Sequence, residues 1–366
     1  MILKNISIIN YKNISGANLP LSPKFNCFVG NNGVGKTNLL DAIYYLSFCR
    51  SSSSQTNLHI IRHQQDSMMI QGIYLTPDNE ELNIHCGLRL GRKKTFKKNG
   101  KEYKKLSEHI GLIPLVLVSP NDIDFIYGTG ETRRKFIDTT ISQYSTQYLQ
   151  HLISYNQLLQ QRNALLKSET PPDDTLLTTY DKIMSQHGSE IYNYRKEFIE
   201  NFTPLFDNIY SQLGEKSENA GLVYQSHLSN NNLFEILQSH HQKDHIVGHT
   251  LKGTHRDDIE MTLNNYPIRY EGSQGQIKSF LTALRLAQYQ YLKKTITTKK
   301  PLLLLDDIFD KLDSQRVERI IQIVSTNDYG QIFITSTNND ILQQVIAKSK
   351  HNYRFYTVNN GTYEES

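Results

Sequence analysis

Short apolar runs separated by glycine and polar turns fill the first 120 residues and read as strands. ILKNISII near the start and FNCFV at 25–29 are apolar and β-branched, and the second runs straight into a glycine-rich turn. Residues 38–48 (NLLDAIYYLSF) then set Leu39, Leu40, Ile43, Tyr44 and Leu46 at helical spacing. SMMIQGIYL and ELNIHCGLRL predict two strands of a hairpin or small sheet, and PLVLV (114–118) another buried strand. From about 130 to 215 the period becomes helical. QYLQHLISYNQLLQQRNALLK carries Leu152, Leu159 and Leu166 seven residues apart, with Leu149 completing the stripe. Asn156 and Asn163 interrupt that seam, which favours a helical lobe packed on itself over an extended dimerisation coil. Pro171-Pro172 followed by Asp173-Asp174 breaks the helices. From about 250 the alternation of strand and helix returns: IEMTL with an Asn264-Asn265 turn, a helix over 275–295, the strand LLLLD, a helix over 314–325 and the strand QIFIT. There is no internal repeat and no low-complexity tract. The fold class is α/β, with an inserted helical lobe: residues 1–125 and 249–366 form the core and 126–248 the mainly helical lobe.

Composition narrows this only a little. A chain of 366 residues, 38% apolar and 21% charged, suits a soluble globular protein of two compact domains, or one domain with an insertion. No run of 18 apolar residues suggests a membrane span, and MILKNISIIN lacks the apolar core and cleavage site of a signal peptide. Cys27, Cys49 and Cys86 are too few and too scattered for a disulfide framework, and no CxxC pair suggests zinc. A cytoplasmic location is expected. A formal charge of +4 permits a nucleic-acid partner without demanding one.

The chemistry begins at Gly30-Asn31-Asn32-Gly33-Val34-Gly35-Lys36-Thr37, followed by Asn38, which fits GxxxxGK[ST] between an apolar strand and an amphipathic helix. Glycines let the backbone curl so that successive N–H groups form a nest for phosphate oxygens at the positive end of a helix. Lys36 is placed to reach the β- and γ-phosphates of ATP, and the Thr37 hydroxyl to ligate Mg²⁺. At ordinary residue frequencies the pattern arises by chance in roughly 1% of chains this long, before its strand–loop–helix setting is counted. Pro301-Leu302-Leu303-Leu304-Leu305-Asp306-Asp307 is a buried strand ending in two carboxylates. Alone it could end in a solvated turn. Beside a phosphate loop it reads as a Walker B strand, with Asp306 on the Mg²⁺ side and Asp307 placed to orient an attacking water.

Between these motifs, just before a helix, lies Ser273-Gln274-Gly275-Gln276. It resembles the signature segment of ABC ATPases, although a helix N-cap serine followed by a flexible glycine looks the same. Its place some thirty residues ahead of the acidic strand favours the first reading. Lys311-Leu312-Asp313 resembles the D-loop. Thr335-Ser336-Thr337 stands where many ABC proteins carry a switch histidine, and no histidine is present.

Across essentially its full length the chain resembles the RecF family of bacterial recombination mediators. The resemblance runs through Asn10-Tyr11-Lys12-Asn13, FVGNNGVGKTNLLDAIYYLSFCRS, VSPNDIDFIYGTGETRRKFID (118–138), GTHRDDI (253–259), SQGQ and LLLLDDIFDKLD (302–313). Departures are Thr254, where the family usually has proline, and Ser51-Ser52-Ser53 in place of a more basic segment. The resemblance implies an ABC-type head without a long coiled coil. It implies binding and slow hydrolysis of ATP, ATP-dependent homodimerisation, and binding of double-stranded DNA and of single-strand/double-strand junctions. RecR and RecO-type mediators are the implied partners, and no membrane is. It places Ser119-Pro120-Asn121-Asp122 in the Q-loop region, and Ser273, Gln274, Gly275 and Gln276 on the γ-phosphate held by a second copy. The chemistry of His255-Arg256-Asp257-Asp258 does not follow from the sequence.

Two basic segments are candidates for DNA contact. Residues 91–105 carry eight basic residues and one acid around an Asn99-Gly100 turn, which predicts a protruding ribbon bearing Lys93, Lys94, Lys97, Lys98 and Lys101. A solubilising hairpin would look alike. Arg133-Arg134-Lys135, at the start of the lobe, is the second candidate, against plain helix surface charge. Rival functions are a transporter ATPase subunit, an ABC-headed nuclease and a structural ATP-binding protein. The missing histidine, the incomplete LSGGQ and an aspartate in place of the usual glutamate after the acidic strand weigh against the first. The second needs a further acid-rich domain, and only an assay separates the third from a slow enzyme.

Overall fold

The computed structural model describes residues 1–53, 57–168, 173–214, 218–307, 314–338, 342–344, 346 and 351–365; Pro171-Pro172 and the D-loop segment Lys311-Leu312-Asp313 lie outside them. It divides into two compact units, residues 1–122 with 288–366, and residues 123–287.

The first unit holds two six-stranded sheets. One is antiparallel, in the order Ile14–Pro20, Ile2–Tyr11, Ser67–Leu75, Glu81–Arg89, Thr95–Lys98, Lys101–Glu102. In Ser67–Leu75 and Glu81–Arg89 every second residue is buried, as a sheet with one covered face requires. The other sheet runs Thr362–Glu365, Tyr353–Asn359, Phe25–Val29, Ile332–Ser336, Leu302–Leu305, Leu115–Val118, parallel except for its C-terminal hairpin. Its three central strands are buried throughout, which is why FNCFV, LLLL and IFITS read as continuous apolar runs. The helix Lys36–Phe48 is buried on nearly all sides, and one core cluster joins its Leu39, Ile43 and Leu46 to Ile6, Ile70 and Ile84 of the first sheet and Phe28, Leu304 and Phe333 of the second. Each such side chain contributes about 1.5–3 kcal/mol on burial. That core fixes the start of the helix against the ends of the parallel strands.

The second unit is built on two antiparallel helices, Thr146–Leu166 and Asp174–Leu213, the latter capped by the Asp173 carboxylate on the Thr175 N–H. Their contacts step by seven residues in opposite directions. Tyr148 meets Arg195 (hydroxyl to Nε 3.1 Å), the Tyr155 ring packs over Gly188, and Arg162 meets Asp181 (2.7 Å). The seam is therefore Tyr148, Tyr155 and Arg162, all buried, and not the predicted leucine stripe: Leu149, Leu152 and Leu159 are half-buried flankers, and only Leu166 is enclosed. Apolarity alone picks the wrong residues for the seam because a tyrosine or arginine whose polar end finds partners can bury more bulk than leucine.

The strand predicted as IEMTL is Asp258–Leu263, and it pairs with Ala220–Gln225 of the lobe and with Tyr266–Pro267, across a turn in which Asn264 and Asn265 take φ of 52° and 67°. Residues 249–287, assigned to the core from the sequence, thus belong to the second compact unit, because their strand partners lie there. His255-Arg256-Asp257-Asp258 is woven into this unit. His255 bonds the Tyr155 hydroxyl (2.9 Å) and the Thr250 carbonyl (3.0 Å), and Asp257 accepts from Arg195 (2.8 Å) and Tyr224 (2.6 Å).

Candidate active site at the phosphate loop

The strand Phe25–Val29 delivers the chain to a loop whose Gly33 and Gly35 have φ of 80° and 117°, left-handed values that favour glycine. At Gly35 space also matters, because a Cβ would lie 2.9 Å from the Asn13 side chain. Asn13 braces the loop further: its amide nitrogen donates to the Gly33 carbonyl (3.4 Å) and its amide oxygen accepts from Asn38 (2.7 Å). The C-terminal hairpin closes the other side. Gly361 N–H donates to the Val34 carbonyl (2.7 Å) and the Tyr363 hydroxyl to the Gly35 carbonyl (3.1 Å). Asn31, Asn32, Gly33 and Thr37 remain exposed at the rim.

Lys36 is buried, and its ammonium folds back onto the carbonyls of Gly30 (2.7 Å) and Asn31 (2.8 Å). Asp306, at the end of Leu302–Leu305, accepts on the same oxygen from Thr37 (2.9 Å) and Thr335 (2.8 Å). Thr335, fully buried on the adjacent strand, also accepts the Asp307 N–H (2.8 Å), which holds Asp307 at a left-handed φ of 49°. One hydroxyl thereby ties the two acidic residues together. Burial lowers the Lys36 pKa, opposed by Asp307 and Asp306; burial raises that of Asp306, opposed by Thr335, Thr37 and Lys36. Both charges are thus short of compensation, a condition that a bound polyphosphate with its cation relieves. Thr37 and Asp306 offer converging oxygen donors suited to Mg²⁺, which takes its remaining ligands from phosphate and water.

The predicted loop, Lys36, Thr37, Asp306 and Asp307 are brought together in the first unit. Ser273, Gln274, Gly275 and Gln276 lie in the second, at the start of the helix Gln274–Thr295. There Ser273 Oγ accepts the Gln276 N–H (3.2 Å), and Gln276 Oε1 accepts the Ser273 N–H (2.8 Å). This reciprocal capping box satisfies the N-cap alternative and leaves Ser273 and Gln274 exposed.

Sequence reasoning named Thr335 and Asn13 without giving either of them its role in this site, and it singled out no role for Asp41. Asp41 is a buried carboxylate that accepts from Tyr11 (2.6 Å), Ser51 (2.7 Å) and Ser52 (2.6 Å) and pairs with Lys12 (2.5 Å). The serines that replace the more basic segment therefore lock the chain after the helix onto the turn that carries Asn13. Only an acid among apolar helix positions hinted at this.

The DNA candidates fare unequally. The 91–105 segment does not protrude: Thr95–Lys98 and Lys101–Glu102 are the edge of the antiparallel sheet. Lys93, Lys98 and Lys101 are exposed and Lys97 is half-buried. Lys94 turns inward to the Cys49 carbonyl (2.5 Å) and Tyr45 hydroxyl (3.1 Å). Arg133 grips Asp258 with two bonds (2.6 and 2.8 Å), and Arg134 donates to the Asp257 carbonyl (2.7 Å). These three cations hold the fold together, so surface charge is the wrong description of them.

Residues 2–364 match the family described as the RecF/RecN/SMC N terminal domain. Proteins named DNA replication and repair protein RecF are 49% identical over 365 residues in Phocaeicola vulgatus, covering 100% of this chain and 98% of that one. In Porphyromonas gingivalis the identity is 44% over 362 residues, covering 99% of each. A solved structure of the recombination mediator protein RecF-ATP in the RecFOR pathway superposes with a TM-score of 0.88 at 27% identity, covering 100% of this chain and 97% of that one. An Smc head from Pyrococcus furiosus shares the fold, at a TM-score of 0.59 and 17% identity, covering 100% and 96%.

Proposed function

The chain belongs to the RecF family of the RecF/RecN/SMC group, and from that premise we propose that it is an ATP switch of recombinational DNA repair. In this reading two copies close on double-stranded DNA when ATP is bound and release it after slow hydrolysis. The observation that carries the reading is a complete but singular set of parts: one phosphate loop, one acidic strand end and one signature segment, the last on a separate compact unit. Two chains facing each other complete two symmetric sites.

On ATP binding, Lys36 exchanges the Gly30 and Asn31 carbonyls for the β- and γ-phosphates. Thr37 and Asp306 would hold Mg²⁺, which would supply neutralising charge to the phosphates. Asp307 orients the attacking water and accepts its proton; one methylene shorter than glutamate, it does so inefficiently, so turnover stays well below ~1 s⁻¹. Ser273 and the Gly275 N–H of the facing copy complete the γ-phosphate shell, contacts that ADP cannot make. Duplex DNA, including its junctions with single strands, meets the edge lysines Lys97, Lys98 and Lys101 through phosphates, without base readout. RecR- and RecO-type mediators are the proposed protein partners in recombinase loading. No helix among the described residues is long and apolar enough to cross a membrane.

Sedimentation at matched concentrations tests the switch. Wild type should dimerise in ATP and not in ADP, Asp307→Asn should accumulate dimer in ATP, and Ser273→Arg should bind ATP as a monomer. Equal dimer fractions in ATP and ADP for wild type would sink the reading.

A further inference from the structure

The phosphate loop sits at the C-terminal ends of the parallel strands; their N-terminal ends, at Phe25, Leu302 and Ile332, border a different feature. A cavity of about 510 Å³ is lined there by Lys24, Lys293, Lys299 and Lys300 together with Thr297 and Asn327, and by no aspartate or glutamate. Lys24 is a structural anchor, donating to the carbonyls of Val324, Thr326 and Tyr329 at 3.3, 2.9 and 2.7 Å. Lys293 pairs with Asp328 on the rim. Lys299 and Lys300 are bound differently. Each donates one bond, to the Leu112 carbonyl (2.7 Å) and the Asn327 carbonyl (2.6 Å), out of the three an ammonium can make. These cations crowd one another. Burial and Lys300 push the Lys24 pKa down to about 8, and burial and Lys98 lower that of Lys299.

Lys98 connects this place to the sheet edge. A neighbouring cavity of about 620 Å³ shares Lys299 and Thr298 with the first and is also lined by Lys98 and Asn99 of the edge hairpin. Asp78, Glu80 and Glu81 line that second cavity, and Glu81 is held by Lys4 at 3.4 Å, so an anion is favoured in the first cavity and not in the second. The one aromatic ring lining the first cavity, Tyr329, is buried and stacked on Tyr289 at 4.5 Å. A nucleotide base would find no ring face there, whereas a backbone phosphate needs none.

We infer that Lys299 and Lys300 form a phosphate site for the backbone of duplex DNA, continuing the track of Lys97, Lys98 and Lys101 around the sheet edge to the end of the parallel sheet opposite the nucleotide. This rests on the DNA-binding reading of that edge. The test measures affinity of the full chain for a 30-base-pair duplex, by fluorescence anisotropy over a salt series. In Lys299→Gln/Lys300→Gln the slope of log affinity against log salt should flatten by about 2, with ATP affinity unchanged. Lys300→Glu alone, at an exposed position, should weaken binding in the same direction and guards against misfolding of the double variant. If both variants bind and respond to salt as wild type does while Lys97→Gln/Lys98→Gln/Lys101→Gln flattens the slope, the site is overturned and the edge reading stands. If wild type does not bind duplex at all, both fall. An equal loss in Lys182→Gln/Lys196→Gln, exposed on the other unit, assigns the effect to net charge and also overturns the site.

Discussion

Both compact units bury charge, and at Lys36 and at Arg162 they treat it in opposite ways. In the first, Lys36 has only loop carbonyls for partners, and Asp306 has two threonine hydroxyls. In the second, Arg162 is wholly buried between Asp181 (2.7 Å) and Asp244 (2.7 Å), with Thr250 at 2.8 Å. Arg195 is likewise held by Asp138 (2.9 Å), Asp257 (2.8 Å) and the Thr254 carbonyl (2.7 Å). A buried cation without a counter-ion of its own marks a place where a ligand supplies the charge. One matched by carboxylates fixes how two helices register, since a one-residue slip of either helix would strand an ion in the seam.

The same substitution made in each unit sharpens the contrast. Arg162→Met leaves Asp181 and Asp244 buried without their cation and should cost about 3–5 kcal/mol in chemical denaturation. Lys36→Met strands no protein carboxylate in that way and should change stability by no more than about 1 kcal/mol. It should nonetheless lower ATP affinity at least ~100-fold by calorimetry, since it removes charged bonds to two phosphates. If Lys36→Met unfolds the protein or Arg162→Met is silent, the distinction between the two kinds of buried charge is lost.

Histidine gives a case in which the units should agree. Burial pushes His109 in the first unit and His255 in the second each to about 4, well below an unfolded value near 6.5. The folded state therefore binds fewer protons between these values. Stability should be full above about pH 6.5, fall as pH drops toward 4, and level off below, by on the order of 3 kcal/mol per histidine. Denaturation midpoints at pH 7 and pH 5 check this: His255→Gln should shrink the difference between them, and an undiminished difference would show that His255 contributes nothing to it.

The smallest expected effect lies at Thr335. Thr335→Val removes a donor to Asp306 and the acceptor for the Asp307 N–H while keeping the shape. It should lower kcat about tenfold with a smaller change in KM, and Thr335→Ser should restore it. A loss that falls on KM alone would place Thr335 outside the positioning of Asp307.

The sequence by itself determined the elements that repeat a short-range rule. Continuous apolar runs gave the parallel strands, short apolar runs between polar turns gave the antiparallel ones, and Asn99-Gly100 and Asn264-Asn265 gave tight turns, because each reflects the local geometry of a few residues. Lys36, Thr37, Asp306 and Asp307 were readable for the same reason: a phosphate nest and an acidic strand end each need fixed residue types at fixed spacing. Only the tertiary structure decided which residues complete them. Thr335 stands 29 residues from Asp306 and Asn13 stands 25 from Asn38, and neither separation carries a pattern. Nor could spacing show that Arg133 and Arg134 turn inward, or that Tyr148, Tyr155 and Arg162 form the seam in place of the leucines. Whether a polar side chain faces water or a partner is settled by what another segment brings to it, and Arg162 is buried because distant chain supplies its counter-charges.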